Sequence, residues 1–326
     1  ATDNGGLSKA QDFTIDVTDL VDTYKFASSV APDESSVSYG GQIARQVLIM
    51  QLNDYIGSDL ATDYTAGNFT SKADVVAKLM SLYAGSSQAW EDGDVDNALS
   101  FSLVLPTEQS TIGDISSSHK NLQGKIAGSD VKGQTNDWTT DLVGWNDKGS
   151  VTPDSLIQLF FSMIGDNIQA DIDGTARLDI NGDAITKFYI TENGLDLKQL
   201  TQKFLLGAVN FSQGTDDYLD NNYDGKGLLS DNIGGDKDGT KSYTALEHAF
   251  DEGFGYFGAA RNYNDYTDLE IRAKSGRDGW NKGYNDANGD GVIDLTAEYN
   301  FGNSTNAAKR DVGSAGNTSP TDFTKE

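Results

Sequence analysis

The sequence contains no cysteine among its 326 residues, which excludes disulfide bonds, thiolate nucleophiles and thiolate metal ligands. Histidine is almost as scarce, since His119 and His248 are the only two. A catalytic triad or a histidine-rich metal centre therefore has few imidazoles to use. No stretch approaches the roughly 18 apolar residues of a membrane-spanning helix. The G-x-S-x-G, H-E-x-x-H, phosphate-loop and dinucleotide motifs are also missing, so the common enzyme classes receive no support.

Positively charged residues are also scarce relative to negatively charged ones. Lys and Arg number 24 against 50 Asp and Glu, which leaves a net charge of −26. A field of this sign repels nucleic acid and anionic lipid headgroups and attracts cations, so we expect no nucleic-acid partner. Solubility in salty water is the alternative explanation of the same charge. Hydrophobic residues still make up 37% of the chain, which is well above the share of a disordered protein.

Helical periodicity is the main structural signal that is present. Five segments place apolar residues on one helix face, at about residues 36–56, 71–83, 152–168, 196–211 and 242–257. Ser71 stands where a helix N-cap is expected, and Thr152, Pro153 and Asp154 suit the start of a helix, with Pro153 in its first turn. The core-facing residues expected in the fourth segment are Leu197, Leu200, Phe204, Ala208 and Phe211. Those expected in the fifth are Leu246, Phe250, Phe254 and Phe257.

These segments predict an all-α fold of two helical-bundle-like halves, about residues 34–175 and 194–326, with long irregular loops and at most a small β-hairpin. The hairpin is expected around residues 187–190, and an extended stretch at residues 99–105. We expect residues 1–13 to be a flexible arm before a single domain of residues 14–326. The polar start without Met is typical of a mature or trimmed chain. The end resembles the beginning of a helix, so we expect the C-terminal end to be truncated.

One loop near the C-terminus has the pattern D-x-N-x-D-G-x-I-D of a calcium-binding loop. Gly291 permits the sharp turn at its sixth position. The twelfth position, usually acidic, is Ala297, and Glu298 follows it and is expected to take its place. The predicted calcium ligands are Asp286, Asn288, Asp290, the carbonyl of Val292, Asp294 and Glu298. An Asx-rich turn without an ion is the alternative. A similar stretch that begins at Asp179 lacks the glycine, and there we predict a hairpin turn.

The fifth helical segment carries a cluster of one imidazole and three carboxylates: Glu247, His248, Asp251 and Glu252. His248, Asp251 and Glu252 share a helix face, and together they offer nitrogen and oxygen ligands to a transition metal. We expect them to line a polar cleft with the Asp-rich segment 216–238. The alternative is that His248 is an ordinary hydrogen-bonding residue beside carboxylates.

Several longer phrases resemble a bacterial family of exported lipoprotein domains related to the imelysin-like proteins. They are SSVSYGGQIAR at residues 35–45, FLLGAVNFSQGTDDY at 204–218, ALEHAFDEGFGYFG at 245–258, EYNFG at 298–302 and AKRD at 308–311. Imelysin-like proteins carry a G-x-H-x-x-E motif that is associated with metal binding. Here Leu246 takes the place of the glycine, and Asp251, followed by Glu252, takes that of the glutamate.

The resemblance implies an all-α periplasmic or cell-surface lipoprotein linked to iron acquisition. We therefore expect a protein that binds a metal ion or a metal-bearing ligand, with calcium in its loop and iron or another transition metal at the His248 cluster. Its partner would lie at the outer membrane or cell surface, and a lipid anchor outside this chain would attach it to the membrane. One alternative is a calcium-rigidified surface protein that binds a partner, and another is an imelysin-type metallopeptidase, which would need a further metal ligand or general base.

Overall fold

The computed structural model describes residues 26–85, 99, 103–118, 120–129, 142, 151–221 and 227–311. All regular secondary structure in these ranges is helical, and β-structure is limited to isolated bridges. The predicted all-α fold is confirmed. No helix in the described ranges is long and apolar enough to cross a membrane. The expected arm at residues 1–13, most of the extended stretch at 99–105 and the chain end beyond residue 311 lie outside them.

The first two helical segments form where the sequence places them. Helix α1 (Gly40–Asp54) continues through a π-helix, π1 (Tyr55–Asp59), into α2 (Leu60–Thr65). Helix α3 (Lys72–Ala84) begins after Ser71, whose side chain accepts a hydrogen bond from the backbone N–H of Asp74. The Asp74 side chain in turn accepts from the Ser71 N–H, which completes a capping box.

The next helices are α4 (Ile112–Ile115), α5 (Pro153–Ile172) and α6 (Leu197–Leu205). Helix α5 starts where it was predicted, and Thr152 is its N-cap. Helix α6 leads into two successive π-helices, π2 (Leu206–Phe211) and π3 (Gln213–Tyr218). The predicted inward position of Phe211 is wrong, because this side chain is 63% exposed. Each backbone N–H of a π-helix bonds five residues back instead of four, so the apolar stripe loses register with the core.

The chain then forms α7 (Asp236–Gly239), α8 (Ala245–Phe257), α9 (Asp268–Ile271) and α10 (Gly302–Asp311). Short 3₁₀ turns occupy Gln123–Lys125, Gly227–Leu229 and Tyr263–Asp265. The hairpin expected near residues 187–190 is reduced to one antiparallel bridge between Ile190 and Asp196.

Helix α8 buries only part of the face that its apolar spacing predicts. Phe254 and Phe257 pack against the hydrophobic clusters as predicted, but the inward position predicted for Phe250 is wrong. Phe250 is 41% exposed, whereas the buried positions are Glu247, Ala249, Asp251, Gly253, Gly255 and Tyr256. The reason is a close approach to the start of α1. A Cβ atom on Gly255 would lie 2.6 Å from the Cβ of Tyr39. Only the small residues of α8 fit that contact, and its phenylalanines lie beside it.

The main hydrophobic core combines side chains of α1, α3, α5, α6 and α8 with Leu295 and Phe301. It therefore contains residues from both of the predicted halves. A smaller cluster follows α8 and consists of Ala259, Ala260, Tyr263, Tyr266, Ile271 and Ala308. Helix α8 and the segment after it connect the main core to the loop at residues 286–298.

Candidate functional site

Glu247 lies at the start of α8 and uses its carboxylate to hold backbone that is distant in the chain. Thr244 caps the helix, and its N–H donates to Glu247 Oε2 at 2.8 Å. The hydroxyl of Ser28 donates to the same oxygen at 2.7 Å, and the N–H of Ser29 donates to Oε1 at 2.6 Å. Burial alone would raise the pKa of Glu247, but these hydrogen bonds outweigh it and lower the pKa.

Asp251 lies one turn later and also binds backbone that is distant in the chain. It is fully buried, and its Oδ2 accepts the backbone N–H of Ser38 at 2.6 Å, just before α1. Glu247 and Asp251 therefore fasten the two ends of the segment 28–38 to one face of α8. Both predicted ligands are engaged by N–H and O–H donors.

His248 and Glu252 form the other pair of the predicted cluster. His248 Nε2 lies 3.4 Å from Glu252 Oε2, and the imidazole stacks on Tyr243 with ring centroids 4.6 Å apart. Glu252 Oε1 also accepts a hydrogen bond from Gln42 Nε2 at 2.7 Å. His248 Nδ1 is buried and has no hydrogen-bond partner among the described residues. The pair can therefore offer one nitrogen and one carboxylate.

The Asp-rich segment before α8 reaches the beginning of this helix. The backbone N–H of Leu246 donates to the carbonyl of Asp231 at 3.0 Å, and Thr244 Oγ1 donates to Asn232 Oδ1 at 2.8 Å. These contacts place residues 231–232 beside the N-terminus of α8. Residues 222–226 of the predicted cleft lie outside the described ranges.

A buried polar layer between α1, α8 and the π-helices was missed by sequence reasoning. Gln46 Nε2 donates to the carbonyls of Tyr256 at 2.7 Å and Gly255 at 3.4 Å. Its Oε1 accepts from Asn210 Nδ2 at 2.6 Å. Gln213, on π3, is fully buried. Amides within the predicted apolar segments were the only signal of this layer, and a sequence alone does not show whether such groups face the core.

The predicted calcium loop forms a tight glycine turn around the carboxylate of Asp286. Asp286 Oδ1 accepts the N–H groups of Gly289 at 2.7 Å and Asp290 at 3.1 Å, and Oδ2 accepts that of Gly291 at 2.9 Å. Gly289 and Gly291 have φ angles of +76° and +89°, a region that strongly favours glycine. The carboxylate of Asp286 thus accepts hydrogen bonds from three backbone amides of the tight turn.

The second part of the loop is closed by Glu298 and Asp294. Glu298 Oε1 accepts the N–H of Ala287 at 2.8 Å, and Oε2 accepts that of Asp294 at 2.9 Å. Asp294 Oδ1 accepts from Gln109 Nε2 at 2.9 Å and from the N–H of Thr296 at 2.8 Å. Glu298, although only 4% exposed, therefore connects the two ends of the loop.

The loop is anchored to a distant segment through Ile293, which is fully buried. Its N–H donates to the carbonyl of Pro106 at 2.9 Å, and its carbonyl accepts from Glu108 at 3.0 Å. Glu108 is an exposed carboxylate that lies outside the predicted calcium motif. The negative charge of Asp294, with burial and the charges of Asp290 and Glu298, raises the pKa of Glu108. The loop is thus a concentrated source of negative potential.

No three His, Asp or Glu side chains in the described ranges lie together in a group that could hold a metal ion. In the loop, Asn288 Nδ2 donates to Asp290 Oδ2 at 2.8 Å. Calcium binding would have to replace this hydrogen bond by contacts to the ion. The donor set fits calcium in kind, because it consists of carboxylate, amide and carbonyl oxygens.

The stretch that begins at Asp179 forms the predicted tight turn. Leu178 and Ala184 make an antiparallel bridge, and the N–H of Asp179 donates to the carbonyl of Asp183 at 2.9 Å. Asp179 Oδ1 accepts the N–H groups of Asn181 at 2.8 Å and Asp183 at 2.9 Å. This turn shares the Asx chemistry of the calcium loop without its glycine at the sixth position.

Comparison with protein families finds that residues 22–272 match the model of the domain of unknown function DUF4856. The matched region includes α8 and the π-helices, whereas the loop at residues 286–298 follows it. Comparisons with curated proteins and with solved structures found no match. Because the family match covers most of the chain, the chain belongs to the DUF4856 family.

Proposed function

We propose that this member of the DUF4856 family is an exported metal-handling protein whose C-terminal part is stabilised by calcium. The observation that carries the calcium proposal is the glycine turn that brings the oxygen-bearing side chains of Asp286, Asn288 and Asp290 together, with Asn288 and Asp290 in hydrogen-bond contact. Asp286, Asn288, Asp290, Asp294 and the carbonyl of Val292 would hold the ion. Glu298 would take part only by exchanging one of its backbone hydrogen bonds for the ion.

Calcium titration of chelator-treated protein tests this proposal. Calcium at about 100 times its Kd should stabilise the wild type by roughly 2.7 kcal/mol, because it binds only the folded state. Asp286→Ala should abolish the calcium-dependent rise in melting temperature. Asp179→Ala is the matched control, because it changes a similar Asx turn and should keep the full response. A wild type that is indifferent to both calcium and chelator would end the calcium proposal.

The metal-handling role rests on the His248–Glu252 pair. An imidazole and a carboxylate on one helix face offer ligands to iron or another transition metal, and Glu247 or Asp251 would join only after giving up backbone donors. Iron, the periplasmic or cell-surface location and an outer-membrane partner are proposed from the resemblance to imelysin-like proteins.

Elemental analysis of protein purified without chelators tests this second site. His248→Ala should lose the bound transition metal, whereas His119→Ala, which removes the other histidine, should retain it. If the metal content of His248→Ala is unchanged and only its stability falls, His248 is a structural residue.

A calcium-rigidified surface protein that binds a partner is the second candidate. The anchoring of Ile293 to Pro106 and Glu108 favours it, because an ion in the loop would then stiffen a contact between distant segments. The two candidates are separated by the same measurement: this one requires calcium alone and no transition metal.

A further inference from the structure

An open cleft of about 450 Å³ lies between the second half of α5 and the turn at residues 191–194, which precedes α6. This volume is within the range of small-molecule sites. The residues that line the cleft are mostly polar, and they are Met163, Asp166 and Asn167 from α5 and Thr191, Glu192 and Asn193 from the turn. A ligand of this cleft must therefore satisfy polar groups, while Met163 gives it an apolar wall.

The turn is held in shape by its own hydrogen bonds. The N–H of Leu195 donates to Thr191 Oγ1 at 2.9 Å, and this hydroxyl donates to Asn193 Oδ1 at 2.6 Å. The N–H of Gly194 donates to the carbonyl of Thr191, also at 2.9 Å. Glu192 lies inside this fastened turn, and its own side chain is exposed, so the turn carries a carboxylate to the edge of the cleft.

Asn167 provides a fixed hydrogen-bond acceptor in the wall of the cleft. Its side chain is oriented by Nδ2, which donates to the carbonyls of Phe188 at 2.7 Å and Ile190 at 3.3 Å. Oδ1 is therefore the remaining amide atom, and no donor in the part of the chain that the structure describes bonds to it. Although Asn167 is only 9% exposed, Oδ1 is not sealed from solvent. A donor on a molecule in the cleft can reach this oxygen.

Two carboxylates flank this acceptor. Asp166 uses Oδ1 to pair with Lys72 Nζ at 2.6 Å, and its side chain remains 60% exposed. Arg177 lies near Glu192: burial lowers the pKa of Arg177, and the charges of Asp171 and Glu192 partly oppose this. The Arg177 guanidinium, however, donates to three backbone carbonyls, so the Glu192 carboxylate stays available. In a chain with a net charge of −26, such a cleft attracts cations.

We propose that this cleft binds a small organic cation of the alkyl-diamine class. One ammonium group would hydrogen-bond to Asn167 Oδ1 and pair with Glu192, and the other would pair with Asp166, while the methylene chain lies against Met163. An alkylammonium group carries only donors, which matches an amide oxygen between two carboxylates. The site contains no part of the calcium loop or of the His248–Glu252 pair, so it is independent of the proposed metal sites.

NMR of protein labelled with ¹³C at the methionine methyl groups tests the proposal directly. The chain has three methionines: Met163 lines the cleft, whereas Met50 and Met80 pack against the main core and serve as internal controls. The full chain is titrated with putrescine at about 0.15 M salt, which screens surface charges separated by more than about 8 Å. We expect a saturable shift of the Met163 methyl signal alone, together with a shift of the Asn167 side-chain amide.

The diol counterpart of putrescine, in which hydroxyl groups replace both amines, separates charge from shape. It should bind at least about tenfold more weakly, because hydrogen bonds between charged partners are the stronger ones. Equal affinities would overturn the cation assignment. An unmoved Met163 signal, or shifts of all three methionines without saturation, would overturn the site, because putrescine would then be absent or spread over the acidic surface.

Two variants with the same change of net charge locate the binding. Glu192→Gln should weaken putrescine binding by about tenfold, because it removes a charged partner from the cleft. Glu34→Gln, at an exposed position outside the cleft, is the matched control and should bind putrescine like the wild type. An equal effect of both variants, or no effect of Glu192→Gln, would refute the assignment.

Discussion

Removal of the Glu247 carboxylate should unfold this protein more readily than the loss of an ordinary helix cap. Glu247→Ala leaves three donors without their acceptor, and two of them, the Ser28 hydroxyl and the Thr244 N–H, belong to buried residues. A hydrogen bond to a charged group contributes about 1.5–3 kcal/mol. Because water can replace the bond at the exposed Ser29, the two buried donors dominate, and we expect a loss of roughly 3–6 kcal/mol.

Urea unfolding at neutral pH measures this loss, provided that the slope of the transition stays constant between variants. Asp74→Ala is the matched control, because Asp74 closes the same type of capping box on α3 at the protein surface. Asp74→Ala should lower the free energy of unfolding much less than Glu247→Ala does. If Glu247→Ala is no more destabilising than Asp74→Ala, the carboxylate does not fasten residues 28–29 to α8 and the reasoning is refuted. Because the pKa of Glu247 is lowered in the folded protein, its carboxylate stabilises the fold at neutral pH, and this stabilisation is lost on acidification.

Two other predictions concern the ion pair between buried Glu270 and half-exposed Arg277, and a close helix contact. The hydrogen bonds from Arg277 lower the pKa of Glu270 to about 2, so its stabilisation is present at neutral pH and is lost as the pH falls from roughly 5 to 2. The melting temperature of Glu270→Gln should therefore depend less on pH over that range, and parallel curves would contradict this. Gly255→Ala should cost about 1–3 kcal/mol through the clash with Tyr39. Gly207→Ala, where no atom lies within 4 Å of the new methyl, should be neutral or stabilising by up to about 1 kcal/mol in the same unfolding assay.

Local signals predicted the beginnings of helices well. Ser71 and Thr152 are N-caps in the structure, and their side chains accept the expected backbone N–H groups. Such caps depend on contacts within four residues, which a sequence displays directly. The π-helices could not be predicted in this way. They keep the helical direction of the chain but change the face that each side chain occupies, as the exposure of Phe211 shows.

The predicted core position of Phe250 on α8 is wrong for a related reason. Hydrophobic periodicity assumes that the largest apolar side chains face the core. At the contact with Tyr39 the short distance between the two backbones determines which residue of α8 can face inward, and only a glycine, Gly255, leaves enough room. The partner of a helix, which sets that distance, does not appear in the local pattern.

Two of the buried glutamates have a structural role that their spacing in the sequence indicates. Glu247 and Glu270 each follow a threonine by three residues, and both close capping boxes with it. That T-x-x-E spacing was present in the sequence, and it indicates a carboxylate directed at backbone N–H groups. A metal ligand needs free lone pairs, so a glutamate in a buried capping box is a poorer candidate than a carboxylate outside one. By this criterion Glu252, which lies outside the box and next to His248, is the better residue of the cluster to mutate in a search for bound metal.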